Sequence, residues 1–455
     1  MRRYVLLASF LALIALILTA CGGGSSSSSS DPATPGQAQV FVTGEDAPLP
    51  SVVSFYITIN SITLNNSSSQ VTLLSTPTTV DFGRLMGLRS LLGFNSVAPG
   101  TYTSATFSFS NPVIYYVNMA AQPVPTVTPM NGTLTNSTVT VPFPTGKPLT
   151  VGSNGMAGLH MDFDLHQSLA VNGSGQITGA VNPNVNIMAV SASQEFGQIT
   201  EFTGTVVSVN ASRNSFTMQG PWGFQEVIDV NSQTQYNGSN SISNVQNAIV
   251  SVEGTVQADG SILASDVEVI TTDKAFISGR VLAVNGSQVT MFVGEELPNM
   301  APAIPIDTVY TVDLSTVTRY DICFFNNWFT TQLFNGSTIV VGQRIFVGGT
   351  NSNNTFTPDM VSLRRQGVWG QLLENSVQIT GGNVGSFQMQ NDALMSYATG
   401  GPFTVNTGSG TIFENINGLT GLQSAGAANL VARGLVFDDG TGKPVVWAHF
   451  VAVLP

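Results

Sequence analysis

The sequence predicts an all-β protein, an N-terminal antiparallel β-sandwich followed by three small β-barrels, and three observations carry that prediction. Charged residues make up only 9% of the chain, while Gly numbers 46 and Thr, Ser, Asn and Val are abundant. Low charge with many β-branched residues and turn formers favours strands over the polar, highly charged composition of a disordered chain. Apolar residues alternate with a period of two from Val53 onward, and the second half carries one strand pattern three times. The first signal marks half-buried strands and the second marks a repeat architecture.

Residues 1–20 read as an export leader. Arg2 and Arg3 precede an apolar run from Tyr4 to Leu18, and the small pair Thr19-Ala20 follows. That order is the layout of a secretory signal, and the run is at or below the length that crosses a bilayer. Leu18-Thr19-Ala20-Cys21 resembles the lipobox of bacterial lipoproteins. The resemblance implies acylation of Cys21, which becomes the new N-terminus, and Gly22 in the following position implies the outer membrane. Residues 21–37 then hold the lipidated Cys and a tether of Gly22–Gly24, Ser25–Ser30 and Asp31-Pro32-Ala33-Thr34-Pro35-Gly36. Such a tract has no apolar groups to bury and behaves as a flexible coil.

The sandwich is assigned to residues 38–192. Val53, Phe55, Ile57 and Ile59 face one way, and the phase slips at Asn60-Ser61 so that Ile62 and Leu64 continue the face, as a bulge requires. Further strands are expected at 103–110, 113–117, 137–141 and 159–165. Between them Leu85, Leu88 and Leu92 fall on one helical face, which makes 82–92 the best helix candidate. Thr43-Gly44-Glu45-Asp46-Ala47-Pro48, Pro99-Gly100-Thr101-Tyr102 and Met161-Asp162-Phe163-Asp164 resemble the motifs of an uncharacterised Thr-Asp-Ala-Pro-type domain family of bacterial lipoproteins. That family implies a β-sandwich and no activity.

Three repeats are assigned to 198–272, 274–366 and 367–455. Gly204-Thr205-Val206 aligns with Gly279-Arg280-Val281 and Gly370-Gln371-Leu372. Each start is followed by a strand ending in Met, at Ser215–Met218, Gln288–Met291 and Ser386–Met389, and a third strand comes next. Closing strands recur at Val250–Gly254, Ile345–Gly349 and Leu430–Gly434, while Asn285-Gly286 and Asp259-Gly260 are hairpin dipeptides of the type I′ class. About five strands per unit with a crossover after the third suggest an OB-like barrel. The pattern also resembles a second uncharacterised family, of tandem OB-like repeats in exported bacterial proteins.

Chemistry is sparse. The net charge is −12, with fourteen scattered Lys and Arg, which excludes a phosphate-tracking nucleic-acid binder. Two cysteines leave no disulfide framework once Cys21 is acylated, and Cys323 lies in apolar Ile322-Cys323-Phe324-Phe325, where a buried inert thiol is expected. No Gly-x-Ser-x-Gly elbow, phosphate loop or dinucleotide fingerprint occurs, so no cofactor is expected. His160, Asp162, Asp164 and His166 share one face of a strand. Neighbouring pairs could hold zinc or calcium with help from an adjacent strand, and a solvated polar face opposite Met161, Phe163 and Leu165 is the other reading. Trp222, Phe224 and Trp328 stand in loop-like stretches where they could stack on a sugar, or pack between barrels.

The resulting expectation is a non-catalytic lipid-anchored cell-envelope protein whose β-domains bind a glycan, an envelope polymer or a protein partner. It meets the membrane only through its lipid. The alternative is a polysaccharide-acting envelope hydrolase, since paired carboxylates can assemble in the fold without leaving a sequence motif.

Overall fold

The computed structural model describes residues 37–454 apart from 48, 50, 86, 119–124, 174–175, 221–224, 239–240, 273–274, 298–303, 324–331 and 353–354. Cys21 with its leader and tether, and the loop aromatics Trp222, Phe224 and Trp328, lie outside the described residues. What is described is mostly strand.

Two sheets form the first half. One runs in the order Val185–Val190, Met156–Asp164, Ala38–Ala47, Ser90–Val97; the other in the order Thr138–Pro142, Ser104–Asn118, Val52–Asn65, Gln70–Leu74. The sheets face each other across an aromatic centre, in which Phe163 of the first lies 5.4 Å from Phe55 and 5.6 Å from Phe109 of the second, ring centre to ring centre. The phase slip in Val52–Asn65 is a register shift between Ile59 and Ser61 against Ser104–Asn118, so the apolar face continues inward as its sequence requires. Two pairings depart from the antiparallel expectation, one of them Thr133–Leu134 against Ile177–Val181 in a small sheet beside these two. In the other, Ala38–Ala47 lies parallel to Met156–Asp164, which the long intervening chain makes possible.

The helix expected over 82–92 does not form. A single 3-10 turn, Phe82–Leu85, is followed by the strand Ser90–Val97. Gly87 sits at φ 75°, and Gly83 packs so closely on the backbone of Ser54 and Phe55 that a Cβ there would meet Ser54 Cα at 2.7 Å. Leu85 and Leu88 are buried without a helix, because the turn delivers both to the sandwich core. The separate strands expected at 103–110 and 113–117 are one strand, Ser104–Asn118, which continues through Asn111 at positive φ.

The second half contains three sheets built on one plan. In the first repeat, Gln198–Asn210 pairs with Ser215–Gln219 on one side and Ala248–Val256 on the other; Gln225–Asp229 and Ile262–Thr272 lie outside these and close the ring by a parallel pairing. That is the 1-2-3-5-4-1 order of an OB-type barrel. The third repeat closes the same way through Phe403–Glu414 against Pro444–Val453 and Gln366–Leu372 against Val384–Gln390. The second repeat keeps the strand order and stays open between Thr308–Asp313 and Thr355–Arg364.

Glycines explain why the repeat is visible in sequence. A Cβ on Gly204, Gly279 or Gly370 would run into the carbonyl of Gln219, Phe292 or Gln390 on the paired strand. In the closing strands Gly254, Gly349 and Gly434 each follow a register shift at the same place. These are bulges that bend the sheet toward closure. Gly279→Val is therefore expected to cost about 1–3 kcal/mol of stability, because backbone rather than a movable side chain blocks the new atoms. A urea midpoint equal to that of the parent would refute this. The hairpin after Ala275–Asn285 differs in detail from its expected type: the two connecting residues are Gly286-Ser287, with Gly286 leading at φ 61°.

The units share buried surface. The first repeat's core takes in Phe41 and Val190 of the sandwich, and the second repeat's core takes in Leu435, Phe437 and Val445 of the third. Val53, Leu282, Phe292 and Leu394 form a dry contact among sandwich, second repeat and third repeat. Cys323 is 3% exposed, and burial pushes its thiol up to about 12, so it is inert as expected.

Candidate functional site

The face of His160, Asp162, Asp164 and His166 is solvated only in part, with Asp162 half-buried and His166 exposed. His160 is 2% exposed and Asp164 5%, because the repeats cover the outer face of the sheet. The four residues of the alternating set also serve different partners. His160 Nδ1 lies 3.1 Å from the Thr43 hydroxyl, which itself donates to the carbonyl of Phe196. Asp162 accepts from Asn186 at the limit of hydrogen-bond distance. Asp164 caps the one-turn helix Leu165–Ser168 by accepting from Gln167 N at 2.9 Å, and the His166 ring stacks on Trp369 of the third repeat at 4.8 Å. Among the described residues no three His, Cys, Asp or Glu side chains are placed to hold a metal ion.

What the fold brings together is a different set. Seven of the fourteen Lys and Arg, namely Arg84, Arg89, Arg280, Arg344, Arg364, Arg365 and Arg433, converge where the sandwich and the three repeats meet. Glu45, from the strand Ala38–Ala47, meets Arg433 of the third repeat and lies 3.8 Å from Arg89 and 3.9 Å from His160 Nε2. Glu201, from the first repeat, meets Arg344 and lies 3.6 Å from Arg364, both of the second. Arg364 also holds Glu268 at 2.7 Å, and the adjacent Arg365 holds Glu253. Arg84 reaches from the sandwich to Glu295 of the second repeat at 2.9 Å.

Local backbone aims these groups. Glu201 sits at φ 51° inside a register shift of Gln198–Asn210, a left-handed conformation that costs a residue with a side chain about 1–2 kcal/mol. The bulge turns its carboxylate toward the second repeat. Arg364 and Arg365 end one repeat, and Gln366 begins the next. Gln366 accepts from Arg344 N and donates to the Gly342 carbonyl, so the junction between repeats is itself hydrogen-bonded into the cluster. Aromatic faces complete the setting: Arg364 lies over Phe346 at 4.1 Å and Arg433 over Phe450 at 4.4 Å.

Charge in so dry a place must be matched. Burial pushes the Glu201 carboxyl up, but Arg344, Arg364 and Arg365 outweigh it and hold the group below its usual range. Asp46 and Asp392 are raised, burial leading in each, although Asp392 accepts from Met395 N as a helix cap. The arrangement is an electrostatic clamp that ties the units together.

Comparison with known proteins matches two stretches of the chain. Residues 36–178 match the model of a domain of unknown function (DUF4382), and residues 203–268 match that of another (DUF5666). The first spans most of the sandwich, and the second spans the first repeat from its first strand to its last. No curated protein matches the chain.

Proposed function

We propose that this is a non-catalytic cell-envelope lipoprotein, held by acylated Cys21 at the outer membrane, whose β units present a fixed surface to a glycan, an envelope polymer or a protein partner. The observation that carries the reading is the fate of the interior charges. Arginines and carboxylates are bound to one another across unit boundaries, where a hydrolase needs titratable groups converging on an open cavity. The address rests on Leu18-Thr19-Ala20-Cys21 and the Gly/Ser tract that ends just before the strand Ala38–Ala47. The clamp makes that strand the first part of the body that the units form together.

Radiolabelled palmitate should enter the wild-type chain and not Cys21→Ala; equal labelling of both refutes the anchor. The full chain in detergent, tested on a glycan array, on envelope extracts and in a polysaccharide hydrolysis panel, should retain a ligand without turnover. Turnover without retention would make it an enzyme.

A further inference from the structure

A cleft of about 50 Å³ opens where the sandwich meets the second repeat, lined by Arg84, Arg280, Arg344, Asp81 and Glu295 among others. Arg280 and Arg344 are direct partners across the antiparallel strands Ala275–Asn285 and Arg344–Ser352. Like charges placed opposite each other repel unless something neutral or anionic intervenes. Arg344 is met through Nη1 by Glu201, while its buried Nη2 has no hydrogen-bond partner among the described residues. Arg280 has no ion pair within 4 Å among the described residues, and its buried Nε has no hydrogen-bond partner there. Asp392, whose carboxylate also caps a helix, attracts Arg280, and Arg344 repels it.

Of the cleft's own carboxylates Asp81 is committed, while the buried Oε2 of Glu295 has no hydrogen-bond partner among the described residues. Asp81 accepts from the Ser54 hydroxyl and from Phe55 N, each at 2.8 Å, and from Arg84 N; Glu295 Oε1 accepts from Arg84 at 2.9 Å. At Gly294 no atom lies within 4 Å of where a Cβ would stand, so one wall is open. We propose that this cleft binds a carboxylate group, with Arg280 as the principal ligand and the Arg344 guanidinium beside it as a second positive charge. A guanidinium presents parallel N–H groups that match a planar carboxylate. The space has room for a group of a few heavy atoms, such as a carboxylate, since one water needs about 10–15 Å³ on the same measure. Asp81 and Glu295 disfavour a doubly charged phosphate. The carboxylate belongs to an acidic sugar or to a peptide, and the rest of that molecule would lie outside the cleft, along the open wall. This inference rests on the binding role proposed above and names a subsite for it.

Calorimetry on the full chain in detergent tests it, with sodium glucuronate, N-acetylalanine, methyl glucuronate ester and inorganic phosphate as probes. An acid should bind and the ester should not; preference for glucuronate or for N-acetylalanine identifies the source, and equal binding identifies the carboxylate alone. Arg280→Gln should weaken the acid by about tenfold, the loss expected for a charged hydrogen bond, with an unchanged melting temperature. Gly294→Leu, which fills the mouth without touching a guanidinium, should do the same and serves if Arg280→Gln does not fold. Ester binding equal to the acid, tighter phosphate binding, no acid binding, or undiminished binding by a folded variant overturns the site. Glycan or partner capture that survives these failures leaves the broader role standing.

Discussion

Glu201→Ala should lower the stability of the protein by about 3–5 kcal/mol, the cost of stranding buried charges by removing their partner. Glu201 is 3% exposed and meets Arg344 with Arg364 close by; Arg344 otherwise donates to the Arg365 carbonyl and lies over the Phe346 ring. Alanine meets the same left-handed backbone penalty at φ 51° as glutamate, so the loss reads the charge and not the turn. Adding Arg344→Met should recover part of the loss, because replacing a buried pair with apolar groups is often neutral where breaking it is not. The measurement is the urea midpoint of each variant. A single variant as stable as the parent, or a double variant worse than the sum of its parts, would show that the clamp carries no such energy.

The clamp also changes what the repeats are for. Four β units joined by short connections could hang as a loose string, each with its own core. Here cores run across boundaries through Phe41 and Val190 in one direction and Leu435, Phe437 and Val445 in the other. Non-directional apolar contact would bring the units together, whereas ion pairs with fixed partners select one arrangement among the possible ones. A surface composed from several units keeps its shape only if that arrangement is single. The Arg280 cleft, built from the sandwich and the second repeat, depends on it directly.

The repeat was legible in sequence because glycines at strand crossings cannot be replaced, and the alternation around them marks which face is inward. Gly204, Gly279 and Gly370 thus announce the first strand of each barrel. The helix over 82–92 misled because Leu85, Leu88 and Leu92 satisfy helical spacing, while a 3-10 turn followed by a strand buries the first two equally well. The charge cluster left a signal that went unused. Arg433 stands in Leu430–Phe437, a strand otherwise apolar on both faces, and a charge in such a strand needs a partner. The partner's identity was not legible, since Glu45 and Arg433 lie at opposite ends of the chain and meet only after every sheet has packed.

Acid should destabilise the protein through His160, and the sign follows from its surroundings. Burial first, and then the Arg89 charge, lower its folded pKa from 6.5 to about 3, against a smaller opposing effect of the Phe196 carbonyl. Glu45, although 3.9 Å away, is beyond hydrogen-bond distance and already answers Arg433 and Arg89. The Thr43 hydroxyl donates to Phe196, so it accepts from His160 Nδ1–H, which fixes the neutral tautomer. A folded pKa below the unfolded one gives stability that is complete above pH 6.5 and is lost as pH falls toward about 3, at up to about 1.4 kcal/mol per pH unit. His449, lowered by burial and then by Arg365, Arg433 and Arg89, acts in the same direction. Asp46 and Asp392, raised by burial, act in the opposite one, so the wild-type profile alone mixes the contributions. His160→Asn keeps a donor toward Thr43 and cannot titrate, while every carboxylate is shared with the parent. Between pH 6.5 and 4 the variant should therefore take up about one proton fewer on unfolding, and its urea midpoint should fall less steeply. Parallel profiles for the two proteins would mean that His160 is charged in the folded state and that Glu45, not burial, governs it.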